Sequence, residues 1–124
     1  MQPLYNPDAA RQFAQRWAGR GDEKSDTQTF WLEMLGQVLG APNPFELIRF
    51  ERSVKLGHKS FMDAFISSTH VLIEQKSLGV DLDTPRRQSD GTLLTPFRQA
   101  ARYNSMLPYS ERARWIVISD FARI

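Results

Sequence analysis

His70-Val71-Leu72-Ile73-Glu74-Gln75-Lys76 is the stretch on which the fold turns. Its apolar start has the β-branched content of a strand, and strand alternation puts Val71 and Ile73 on one face and Leu72, Glu74 and Lys76 on the other. Upstream, residues 61–66 form a second predicted strand, joined to the first through the turn Ser67-Ser68-Thr69. Residues 47–56 mix apolar and charged positions as a half-exposed strand does, and end at the turn signal Gly57-His58-Lys59. Connections this short favour an antiparallel meander. Downstream, Trp115-Ile116-Val117-Ile118 is a continuous apolar run, the pattern of a strand covered on both faces. The strand bearing Glu74 and Lys76 is therefore expected at the centre of the sheet, where charges call for a reason.

Helices flank these strands. Asn6, Pro7 and Asp8 open the first, with Phe13 and Trp17 on its apolar face and Gly19 and Gly21 stopping it. After a polar link over residues 22–26, Ser25 with Gln28 resembles a capping box for a second helix, which carries Phe30, Trp31, Met34, Leu35, Val38 and Leu39 up to Gly40. Pro42 and Pro44 break the chain there. A polar loop is expected over residues 77–91, and Thr95-Pro96 opens a third helix that Pro108 ends. The fold class is mixed α/β (α+β), in the order α-α-β-β-β-α-β, with a central mixed sheet flanked by helices.

The bulk composition sets bounds. A chain of 124 residues with 41% hydrophobic and 24% charged residues suits one domain with its own core. It contains no cysteine, which excludes disulfides and thiolate metal sites and fits a reducing cytoplasm. No apolar run reaches the roughly 20 residues of a membrane span, and the start lacks the pattern of a signal peptide, so the chain reads as cytoplasmic. A net charge of +2 does not diagnose nucleic-acid binding. From Lys76 onward eight basic residues face five acidic ones, a tilt compatible with a phosphate-facing surface or with an ordinary solvated one.

Asp63, Glu74 and Lys76 form the constellation that can do chemistry. If the strands over 61–66 and 70–76 pair through their short turn, Asp63 sits beside Glu74. Adjacent carboxylates repel unless a cation or a proton settles them. Hard oxygen ligands suit Mg²⁺ or Mn²⁺, and Lys76 would stand where an ammonium can orient a nucleophilic water, a combination that suits phosphodiester hydrolysis. Glu-x-Lys pairs on solvated strand faces are also common, and taken alone the pair favours that reading. His58 and His70 lack a second histidine at ligand spacing and read as structural. Asp81 and Asp83 read as loop solvation, and Arg86 and Arg87 as candidates for phosphate contacts. No phosphate-binding glycine loop or Gly-x-Ser-x-Gly motif is present.

Asp63, then Glu74-Gln75-Lys76 on the following strand, resembles the PD-(D/E)xK nuclease superfamily, with Met62 where that motif has its proline. Gln99-Ala100-Ala101-Arg102-Tyr103 matches the Gln-x-x-x-Tyr motif of RecB-like members, and its Gln and Tyr share one helical face. A closer resemblance is to the N-terminal endonuclease region of MmeI-like, type IIL restriction–modification proteins. It runs through Phe30-Trp31-Leu32-Glu33-Met34-Leu35, Lys59-Ser60-Phe61-Met62-Asp63-Ala64-Phe65, Leu72-Ile73-Glu74-Gln75-Lys76-Ser77 and Trp115-Ile116-Val117-Ile118-Ser119-Asp120-Phe121.

The resemblance implies a restriction-endonuclease-like core, Asp63 and Glu74 as metal ligands, and Lys76 as the catalytic lysine. Glu33 is a candidate extra metal carboxylate, and an ordinary surface glutamate is an equal reading. Gln99 and Tyr103 are candidates to orient the site or meet DNA, with packing of Tyr103 as the alternative. Residues 1–24 are expected to be an N-terminal helical extension and 25–124 the nuclease-like core. The family continues past the fourth strand into a helical segment, an adenine methyltransferase and a target-recognition domain, so the chain is expected to be a fragment. The expected function is a Mg²⁺- or Mn²⁺-dependent DNA endonuclease using metal-bound water. The alternatives are an inactive DNA-binding or assembly module with the same fold, and a protein-interaction domain without a nucleic-acid role.

Overall fold

The computed structural model describes residues 5–55 and 59–124; the turn expected at Gly57-His58-Lys59, and His58 with it, lies outside the described residues except for Lys59. Helix α1 (Pro7–Trp17) starts as expected, with the Asn6 side chain accepting from the Ala9 N–H at 3.1 Å. Helix α2 (Glu23–Glu33) begins earlier than the Ser25 signal suggests. Its cap is Asp22, which accepts from the Ser25 N–H at 2.9 Å while Asp26 accepts from the Asp22 N–H at 2.9 Å. Aspartate caps as well as serine does, so the reciprocal pair forms three residues upstream and residues 23–26 become helix rather than link. The helix runs on through a π-helical turn (Met34–Val38), and a short α3 (Pro44–Leu47) follows the prolines.

The strands are β1 (Ile48–Lys55), β2 (Lys59–Ile66) and β3 (Val71–Gln75). A small hairpin, β4 (Arg86–Arg87) within the expected polar loop and β5 (Leu93–Leu94) just past it, precedes α4 (Pro96–Ser105), a 3₁₀ turn (Tyr109–Glu111) and β6 (Trp115–Ser119). Asp90 stabilises the hairpin turn by accepting from the Thr92 N–H and hydroxyl, and pairs with Arg102 of α4 at 2.8 Å. Local polar contacts of this kind leave no apolar periodicity to read. Asp81 likewise organises its own turn, accepting from the Asp83 N–H and the Thr84 hydroxyl.

The main sheet has the order β1-β2-β3-β6, antiparallel from β1 to β3 and parallel between β3 and β6, with α4 on the crossover. The mixed α+β class and the central position of β3 are as expected. β6 is an edge strand, although its apolar run suggested an enclosed one. Both of its faces are nonetheless occupied: Val117 packs toward the α1 and α2 side, Ile116 and Ile118 toward the α4 side. On the first side Phe13, Trp17, Phe30, Trp31 and Phe121 pack with Ile48, Ala64, Ile66 and Ile73. On the second, Ala100 and Leu107 pack with Val54, Met62, Phe65 and Leu72. Among the described residues no helix is long and apolar enough to cross a membrane.

The closure of the first core depends on one glycine. Gly21 has φ +151°, and a Cβ there would lie 2.3 Å from the Phe121 ring. That ring stacks on Trp17, with centroids 5.8 Å apart. Gly21→Ala is expected to lower stability by roughly 2 kcal/mol, read as a reduced urea midpoint; an unchanged midpoint would mean that Phe121 moves aside without loss.

Candidate active site

The β2–β3 ladder stops one residue short of the two acids. Its last pair is Ala64 with Ile73, so the register would next place Asp63 opposite Glu74. Instead the strands part there, and the Gln75 N–H donates to Asp63 Oδ2 at 2.7 Å. A carboxylate thus satisfies a backbone donor that the neighbouring strand has left. On the other side of β2, Phe50 pairs with Ala64 and Arg52 with Met62, and between them Glu51, across from Asp63, has φ 53°. A positive φ in a non-glycine strand residue is a strained conformation.

This distortion changes which way β2 faces. Ala64 and Ile66 belong to the first core, yet Met62, of the same parity, belongs to the second. Strict strand alternation would put Phe61, Asp63 and Phe65 on one face; that face is broken likewise, since Phe65 is buried and Phe61 is 49% exposed. Simple alternation fails at the residue that the site uses.

Glu74 and Lys76 leave the C-terminal end of β3, which β6 holds in register: Glu74 pairs with Ile118, Gln75 with Ser119, and the Lys76 N–H donates to the Ser119 carbonyl at 2.8 Å. Gln75, fully buried between them, fixes the segment through its side chain. Its Oε1 accepts from the Trp31 indole at 2.8 Å, and its Nε2 donates to the carbonyls of Lys76 and Ser119 at 3.0 and 3.3 Å. Breaking so buried a network leaves donors unmatched, so the motif's middle residue is held as firmly as its ends.

Glu74 is only 2% exposed. Its Oε1 pairs with Lys76 Nζ at 3.0 Å, while its Oε2 is buried with no hydrogen-bond partner among the described residues. Burial first, and then the Asp63 charge, push the Glu74 carboxyl up to about 8. Burial also raises Asp63, to about 6, against the Gln75 N–H that favours its charge; Glu23 raises it further. For Lys76 burial works against the charge, but the Glu74 pair and the charges of Glu23 and Asp63 outweigh it and hold the ammonium above its ordinary value.

The helix after the hairpin completes the group. Lys76 Nζ donates to Gln99 Oε1 at 3.1 Å, and Gln99 Nε2 donates to the Tyr103 hydroxyl at 3.0 Å. The structure thus joins Asp63, Glu74, Lys76, Gln99 and Tyr103 in one cluster. Arg86 and Arg87 stand apart from it, exposed on the hairpin that adjoins α4. Glu33 is also separate: its carboxylate is paired with Arg16 of α1.

The acid of α2 that does bear on the site is Glu23, at the other end of the helix. The Glu23 N–H donates to the Ser77 hydroxyl at 2.8 Å and the Leu78 N–H to the Gly21 carbonyl at 2.9 Å, which hooks the chain after Lys76 onto the start of α2. Glu23 and Asp63 line one cleft of about 380 Å³ together with Lys24, Thr27, Gln28, Phe50 and Glu51. Sequence reading missed Glu23 because the polar run 22–26 passed for a link; the Asp22 cap was the signal that could have placed Glu23 in the first turn. Among the described residues no three His, Asp or Glu side chains stand close enough to form a ready cation cage.

A pair of buried acids with an orphaned oxygen admits two resolutions, a proton or a cation. Asp63, another acceptor, offers Oε2 nothing unless Glu74 itself carries the proton, in which case it can donate to Asp63. A divalent cation between the two carboxylates would satisfy both at once. The donor set is therefore of the right kind for a hard metal ion. Comparison with known proteins yields one finding: the family model described as MmeI, N-terminal domain matches residues 8–124. No curated protein and no solved structure gives a significant match.

Proposed function

Because the chain belongs to the MmeI N-terminal domain family, which ties it to restriction–modification proteins, we propose that it is a Mg²⁺-dependent DNA endonuclease domain of the PD-(D/E)xK type. The observation that carries this reading is the buried, unpartnered Oε2 of Glu74 beside Asp63. Asp63 and Glu74 would hold Mg²⁺ or Mn²⁺. Bound there, the cation supplies Lewis-acid polarisation of a phosphate and makes water more acidic.

The remaining work falls to the chain's own residues. The Gln75 N–H keeps Asp63 turned toward Glu74. Lys76, anchored through Glu74, presents an ammonium that orients the attacking water and offsets charge developing on the phosphate. Arg86 and Arg87 project exposed guanidinium groups next to α4, suited to contacts with the DNA backbone. DNA is the proposed partner, with fused methyltransferase and target-recognition domains as the source of sequence choice.

The test is cleavage of supercoiled plasmid with Mg²⁺ and with chelator. Cutting that requires the metal is expected, and cutting indifferent to chelation would overturn the reading. The lack, among the described residues, of a third His, Asp or Glu side chain beside the pair favours, as a second reading, an inactive DNA-binding or assembly module of the same fold. Salt-dependent DNA binding without any metal-dependent cutting would select it.

A further inference from the structure

The Gln99 side chain is held at both ends. Its oxygen accepts from Lys76 Nζ at 3.1 Å, and its amide nitrogen donates to the Tyr103 hydroxyl at 3.0 Å. Gln99 and Tyr103 are one helical turn apart on α4, so a rigid backbone sets the distance between the two side chains. Lysine is the opposite case: a flexible four-carbon stem whose ammonium takes many positions unless acceptors fix it. The Lys76 ammonium has three donors and no acceptor. One donor meets Glu74 Oε1 at 3.0 Å and another meets Gln99 Oε1; the third has no acceptor among the described residues. In a tetrahedral ammonium, two anchored protons determine the direction of the third.

We propose that Gln99 and Tyr103 are positioning residues: Tyr103 braces the Gln99 amide, and the amide, with Glu74, aims the remaining N–H of Lys76. The kinetic part of this inference rests on the nuclease reading; the positional part does not. Glu74 alone would leave the ammonium free to swing about a single ion pair. With Gln99 as a second acceptor from a different element, β3 and α4 together define where the charge stands. Tyr103 acts only through Gln99, since it has no contact of its own with Lys76 among the described hydrogen bonds. That dependence is what separates bracing from a general packing role.

The experiment uses the whole chain and two readouts. In metal-free protein, ¹⁵N spectra of lysine Nζ groups report how firmly each ammonium is held. The Lys76 signal is expected to be protected from solvent exchange in the wild type and in Gln99→Glu, whose carboxylate can accept from both neighbours. It should be lost in Gln99→Met and weakened in Tyr103→Phe. In the cleavage assay, Gln99→Met is expected to lower kcat roughly tenfold with KM held within about twofold, Gln99→Glu to recover most of that loss, and Tyr103→Phe to cost less than Gln99→Met. Adding Tyr103→Phe to Gln99→Met should cost nothing further. The proposal is overturned by an unchanged Lys76 signal in Gln99→Met, or by a Tyr103→Phe loss that is as large in the Met background as in the Gln one. If the wild type does not cut DNA, the nuclease reading fails and the lysine spectra alone decide the positional inference.

Discussion

Lys76→Ala and Asp63→Ala are each expected to reduce metal-dependent cleavage to background, a loss of at least about a hundredfold, while the circular dichroism of a folded protein is kept. The two variants fail for different reasons. Asp63→Ala removes one of two oxygen donors from the proposed cation site and frees the Gln75 N–H that it accepts. Lys76→Ala leaves both carboxylates and removes the charge meant for the water and the phosphate. Glu74 then loses its ion-pair partner, and with its carboxyl already raised to about 8 it stays protonated at neutral pH rather than becoming a bare buried charge. The fold therefore survives. Activity within a few-fold of wild type in either variant would remove these residues from the chemistry.

The second large effect concerns stability without metal. Glu74 has an ordinary value of 4.5 and is raised to about 8, and Asp63 rises from 3.8 to about 6. Both acids bind protons more tightly in the folded chain than in the unfolded one. Their contribution is thus fully present below about pH 4 and is lost as pH rises through 6 and then 8. Metal-free protein is expected to lose on the order of a few kcal/mol between pH 5 and pH 8.5, or roughly 10 °C in melting temperature. Mg²⁺ or Mn²⁺ should restore most of that at the upper end. Glu74→Gln cannot ionise, so its stability should stay nearly level above pH 6 and exceed that of the metal-free wild type at pH 8.5, while its cleavage is lost. A wild-type melting temperature that rises steadily over this range would show that the two acids are not under the strain assigned to them.

The pattern of that strain explains what the sequence disclosed. The strands show in apolar or alternating runs and short turns, and β3 stands at the sheet's centre because its neighbours are legible on both sides. Glu74 and Lys76 follow from alternation, since β3 stays regular to Gln75. Asp63 follows from the same register, but its orientation does not: the strained Glu51 opposite it and the parted ladder depend on the whole β1-β2-β3 assembly. Gln99 and Tyr103 were visible as a helical pair, whereas their link to Lys76 depends on α4 lying across the end of β3.

The acid on α2 was misplaced for a related reason. Glu33 adjoins the apolar face that makes that helix legible in the sequence, yet Arg16, seventeen residues away, takes its carboxylate. Glu23 bears on the site only because Ser77 and Leu78 fasten to the start of α2. Nothing local to residue 23 encodes that tie. The hairpin Arg86–Arg87 with Leu93–Leu94 was equally hidden, because two-residue strands carry no period to detect.

A crystal of the chain grown or soaked with Mn²⁺, with anomalous diffraction measured for the metal, addresses the proposed site most directly. Manganese density bridging the carboxylates of Asp63 and Glu74, with Glu74 Oε2 as one of its ligands, is the predicted result. Full Mn²⁺ exposure that leaves the two acids sharing a proton, with no manganese between them, would contradict it.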